Sequence, residues 1–144
     1  MSVECLSETR LSMTFAVEDL AAVDAALEAL ESRLVMLISL RPDIQPGLAR
    51  MGEKSEAFCR RTLTAMAAQP EAMVPDLDLA AAQADLAAAD ALHPRLVRLR
   101  RLAERAEDTE LALGSDVMVA ALQSHAWLEA AGCVQETVEL RRCG

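Results

Sequence analysis

The sequence predicts an all-α protein, an up-and-down four-helix bundle with long first and third helices, and three observations predict it. Alanine and leucine supply 28 and 22 of the 144 residues, and both stand high among helix formers. Residues that favour strands are scarce, with aromatics at 2%,. Five Gly and five Pro are too few for a β-protein that turns every ten residues or so. A chain of this length is one domain with enough residues for a core. The bundle is expected over residues 13–132, after a flexible N-terminal segment, 1–12, and before a short tail or helix, 133–144.

The first helix is expected over about 14–40. Met13, Ala16, Leu20, Val23, Leu27, Leu30, Leu34 and Leu37 follow one another in alternating steps of three and four, a heptad seam that presents one narrow stripe to a partner helix. The positions between carry Glu18, Asp19, Asp24, Glu28, Glu31 and Arg33, as a solvated face should. Pro42 stops the helix. Residues 41–51 form a loop with two prolines and a glycine. The second helix, about 52–68, has Phe58, Cys59, Leu63 and Met66 as its weaker apolar side. A connector with Pro70 and Pro75 follows, and Asp76 or Asp78 caps the next helix through its carboxylate.

The third helix opens near 77 with Leu79, Ala82, Leu86 and Ala89 in register. The apolar series then shifts to Leu92, Leu96, Leu99, Ala103, Ala106 and Leu113, a three-residue insertion beside Pro94. Two readings fit: one long helix over about 77–113, kinked at Pro94, or two helices meeting at His93-Pro94. Gly114-Ser115-Asp116 reads as a helix stop followed by a cap. A fourth helix is therefore expected over about 115–131, ending before Gly132.

Charge excludes several classes of function. A net charge of −9 argues against general binding to nucleic acid or to an anionic membrane, both of which need positive charge facing phosphate. The stripe Arg98, Arg101 and Arg105 is followed at once by Glu104, Glu107, Asp108 and Glu110, which reads as ion pairing within the helix. No window holds 18 uncharged apolar residues. The four cysteines, Cys5, Cys59, Cys133 and Cys143, lack C-x-x-C spacing and are expected as thiols in a cytoplasmic protein without a secretion signal. Thirteen Arg against one Lys, with the alanine load, points to a GC-rich bacterial genome.

Candidate chemistry is sparse. Gly47-Leu-Ala-Arg-Met-Gly52-Glu53-Lys54-Ser55 is one residue away from a phosphate-binding loop, but Glu53 shifts the lysine register and brings a carboxylate toward where phosphate oxygens would sit. It reads as a helix start, with Glu53 in the first turn where negative charge suits the helix dipole. Asp90 and His93 stand three apart, a spacing that puts two metal ligands on one helical face. His125 has no such partner, because Leu122 holds that place. Asp90, His93 and His125 are the metal candidates. Nothing resembles a nucleophile with its base, and few aromatics are present to stack on a cofactor. No enzyme activity and no cofactor are expected.

From Arg50 to about Leu122 the chain resembles a small family of bacterial all-helical proteins with no assigned function. Arg50-Met-Gly-Glu-Lys-Ser55, Val74-Pro75 with Asp78-Leu79, and Asp108-Thr109 with Ala112-Leu-Gly-Ser-Asp116 carry the resemblance. It implies a helical scaffold and brings no activity with it. A partner-binding patch is placed by this reading at Asp108, Thr109, Ser115 and Asp116 around the corner between the third and fourth helices. Independently of the resemblance, Trp127, the only tryptophan, is either an interface anchor or a half-buried structural residue.

The expected function is accordingly non-enzymatic, acting through protein–protein contacts as a self-associating or adaptor module, with a homodimer favoured. The alternative is a small-ligand or metal-binding bundle centred on His93 or His125.

Overall fold

The computed structural model describes residues 13–72 and 74–132. The expectations placed on residues 1–12 and 133–144, including Cys5, Cys133 and Cys143, lie outside them. Among the described residues the chain is all-helical, with three α-helices: α1, Val17–Arg33; α2, Glu53–Ala68; and α3, Leu79–Ala130. A short 3-10 turn, Gln45–Gly47, lies between α1 and α2. The described residues fall in two compact units, Ala21–Arg98 and, apart from it, 13–20 together with 99–132.

α1 is shorter than the heptad seam implied. At 1.5 Å per residue, its 17 residues span about 26 Å rather than the roughly 40 Å expected of a 27-residue helix. The helix gives way in the run Val35-Met36-Leu37-Ile38. β-Branched Val35 and Ile38 propagate a helix poorly, and Pro42 would set its ring against the carbonyl of Ile38 in a continued helix. Within the helix the seam is therefore Leu20, Val23, Leu27 and Leu30. The ends are well charged: Glu18 and Asp19 occupy the first turn and Arg33 the last, each opposite in sign to the dipole end it sits on.

α2 begins where the sequence placed it. Gly52 is the N-cap in extended conformation, φ −91° and ψ 179°. With no side chain of its own, it relies on Ser55, whose Oγ accepts from the Gly52 N–H at 2.8 Å. The Gly52 carbonyl accepts from the N–H groups of Ser55 and Glu56. Glu53 and Glu56 add negative charge to the first turn. GEKS is a helix start, as its first-turn carboxylate suggests.

α3 begins with the expected cap: the Asp78 carboxylate accepts from the Ala81 N–H at 3.0 Å. Asp76 just before it takes the left-handed conformation, φ 65°, which aspartate tolerates better than most residues. Leu79, Ala82 and Leu86 are half-buried in the predicted register, whereas Ala89, its fourth member, is exposed.

The predicted break between third and fourth helices is absent, and α3 runs for 52 residues. It passes through Pro94, a residue that costs a helix interior about 3 kcal/mol. At that turn the Arg95 side chain donates from Nη1 to the carbonyl of Ala91 at 2.5 Å. The helix also passes through Gly114-Ser115-Asp116. That triplet resembles a stop and cap because Gly and Asp are favoured at helix ends. Gly is nevertheless tolerated inside a helix at about 1 kcal/mol relative to Ala, a cost that 52 residues of Ala- and Leu-rich neighbours absorb. The real stop is Gly132, φ 79°, whose N–H donates to the Glu129 carbonyl at 3.2 Å, as the left-handed glycine after a helix commonly does.

Gly114 separates the two descriptions by experiment. A Cβ built there meets nothing within 4 Å, so Gly114→Ala is expected to stabilise the protein by about 1 kcal/mol, measured by urea unfolding. Were Gly114 a left-handed helix end, the same change would destabilise it.

Candidate functional site

The best-defined polar site joins α2 to the first part of α3. Arg60 stands four residues after Glu56, the spacing that makes them neighbours on one helix. Its Nε and Nη2 donate to Glu56 Oε1 at 3.0 and 2.7 Å. The other edge of the guanidinium reaches across to α3, where Nη1 donates to Asp90 Oδ2 at 2.8 Å and Nη2 to Asp90 Oδ1. One planar cation thus holds two carboxylates, Asp90 by a two-point fork that lysine has no geometry to make. The side chains are 40% to 47% exposed, so water screens the pairing and it acts more as a register pin than as a large source of stability.

Electrostatics follow from that geometry. The bonds from Asp90 and then from Glu56 hold the Arg60 guanidinium protonated well above its ordinary range. The bonds from Arg60 hold the Asp90 carboxyl below the usual carboxylate range. Beside the cluster an open groove of about 410 Å³ runs between the helices, lined by Leu63 and Thr64 of α2 and Gln83, Leu86 and Ala87 of α3. Thr64 turns its hydroxyl back to the Arg60 carbonyl, 2.8 Å.

The metal candidates are not brought together. Both oxygens of Asp90 accept from Arg60, while His93 lies exposed one turn on. Among the described residues no three His, Cys, Asp or Glu side chains are grouped to hold a metal. His125, with 17% of its side chain exposed, sets Nδ1 at 3.7 Å from Glu129 Oε1, and its buried Nε2 has no hydrogen-bond partner among the described residues. Cys59 is a free, half-buried thiol.

The partner-binding candidates keep their residues and lose their corner. Asp108, Thr109, Ser115 and Asp116 lie within continuous α3. Thr109 and Asp116 are half-buried with Ala112 and Leu113, at the i, i+3, i+4, i+7 spacing of one helical face. The Thr109 hydroxyl donates back to the Arg105 carbonyl at 2.6 Å, whereas Asp108 and Ser115 are exposed. Trp127 is 76% exposed, an indole left largely in water. Arg98, Arg101 and Arg105 are exposed and, among the described residues, make no ion pair. The pairing expected there belongs to Arg60 instead. The Glu56–Arg60 spacing was visible in the sequence; the link to Asp90, 30 residues on, was not.

Compared with protein-family models, curated proteins and solved structures, the chain matches none. Among the described residues, no helix is long and apolar enough to cross a membrane.

The fork gives the α2–α3 junction a defined acid response. Asp90 titrates lower folded than unfolded, so the unfolded chain binds the extra proton first as pH falls. Its contribution is complete above the ordinary aspartate value near 3.8 and is lost as pH falls through the lower folded value. Asp90→Asn is expected to lower the melting temperature at pH 7. The wild-type advantage over this variant should shrink below about pH 4, as read by circular dichroism melts across the pH range.

Proposed function

We propose that the protein is a non-enzymatic helical module of the cytoplasm that works by self-association, with a homodimer as its unit. The observation that carries this reading is the state of its apolar side chains. The chain is 53% hydrophobic, and a single domain of this size ordinarily encloses a core, yet among the described residues no side chain is buried. The α1 seam is wet along its length, with Leu20, Val23, Leu27 and Leu30 exposed by 45, 54, 48 and 43%. Val35, Met36 and Ile38 beyond its end are exposed by 78, 68 and 80%. Apolar surface this extensive is the mark of a protein–protein contact.

The gross magnitude is of the scale from which the costs of association are subtracted. Covering four half-exposed seam residues on each of two copies is worth on the order of 8 kcal/mol gross, from about 2 kcal/mol per fully buried side chain. That is the scale of a micromolar association, and the apolar run 35–38 adds surface to meet the cost of ordering. In this reading the apolar cover that one copy lacks is supplied by the α1 seam of a second copy. Arg60 fixes the angle at which each copy presents its helices.

Light scattering at micromolar concentration is expected to give about twice the 15.5 kDa chain mass. Leu27→Glu, which puts a charge on the seam, is expected to return the protein to single-chain mass. A wild-type single-chain mass at that concentration would contradict the reading.

A further inference from the structure

Resting on the self-association just proposed, we infer that α1 pairs with α1 of a second copy in antiparallel fashion, about a two-fold axis level with Ala25. The steps between Leu20, Val23, Leu27 and Leu30 assign Leu20 and Leu27 to the a positions of a heptad and Val23 and Leu30 to d. Asp19, Ala26 and Arg33 then occupy the g flank, and Val17, Asp24 and Glu31 the e flank. Which way a second copy lies is decided by what these flanks meet.

In a parallel pair each g residue faces the e residue five further along the other chain. Asp19 would face Asp24 of the second copy, and symmetry repeats that like-charged contact. Arg33, the only basic residue of α1, would face position 38 of the second copy, which lies beyond the end of the helix, and so would meet no acidic flank. The seam also has leucine at a and valine within d, the reverse of the arrangement that favours parallel dimers.

In an antiparallel pair, a layers meet d layers and each flank meets its own kind. Leu20 packs on Leu30 of the second copy and Val23 on Leu27. Asp19 meets Arg33 of the second copy at both ends of the helix pair. At the axis Ala26 meets Ala26, small enough for close approach, and Asp24 meets Asp24. Two opposite-charge contacts and one like-charge contact replace the two like-charge contacts of the parallel pair. The acidic first turn of each helix lies beside the basic last turn of the other, and the helix dipoles oppose. The centre of the seam, midway between Val23 and Leu27, coincides with the centre of the helix Val17–Arg33, so neither chain leaves an overhang.

Charge reversal on the two flank residues tests the geometry. Dimer dissociation constants are measured by sedimentation equilibrium for Asp19→Arg, Arg33→Asp and the double variant, with helicity checked by circular dichroism. Each single change replaces two attractive contacts by two repulsive ones, and each is expected to weaken the dimer by about tenfold or more. The double variant restores both contacts with signs exchanged, and it is expected to bind more tightly than either single variant, although it carries both unfavourable dipole terms. A dimer that Asp19→Arg tightens would be parallel and would overturn the inference. So would a dimer in which the two changes simply add. A wild-type chain that stays monomeric throughout would overturn the self-association reading itself.

Discussion

Among the described residues the apolar stripe of α1 stays about half exposed, and the rest of the structure depends on how that surface is removed from water. Folding a chain costs on the order of a hundred kcal/mol of conformational entropy per hundred residues, and apolar burial is the main term that offsets it. Here Leu20, Val23, Leu27 and Leu30 are each about half exposed, and no described side chain is enclosed. Local helix propensity, supplied by alanine and leucine, keeps α1 and α3 written as helices. It does not make a stable tertiary structure, which requires packed apolar faces. In the proposed dimer a second copy of the same stripe covers it, with Asp19 of one chain beside Arg33 of the other.

Against that background the Arg60 cluster has a plain role. Helices rich in small and aliphatic residues slide and rotate against one another at little cost, because few side chains are shaped to one register. A guanidinium that grips Glu56 on its own helix and Asp90 on the next removes that freedom for α2 and the start of α3. Its exposure limits its contribution to stability, and its planar geometry gives it specificity. In the proposed dimer the polar groups specify arrangement and the apolar groups supply energy by association.

Much of the local structure was legible in the sequence. The start of α2 followed from Glu53 in its first turn, the cap of α3 was narrowed to Asp76 or Asp78, and its end followed from Gly132, because caps depend on residues within one turn. The register of Leu79, Ala82 and Leu86 followed from periodicity. Two readings failed for the opposite reason. Gly114-Ser115-Asp116 has the chemistry of a helix boundary, but the boundary is a balance between that chemistry and the propensity of long helical flanks, which won. The end of α1 fell seven residues early because hydrophobic spacing continued through 34–37 while Val35, Ile38 and Pro42 had already made the backbone unsuited to a helix. The Arg60–Asp90 fork was hidden for a third reason: it depends on the packing of two helices, and no spacing within the chain encodes it.

If the core is completed only between chains, folding and association are one equilibrium, and stability must depend on protein concentration. The measurement that tests this most directly is the melting temperature, followed by circular dichroism over two or three decades of concentration at fixed pH and salt. A melting temperature that climbs steadily with concentration is the predicted result. A melting temperature independent of concentration, with a sharp cooperative transition, would mean that a single chain encloses its own core and would contradict the account.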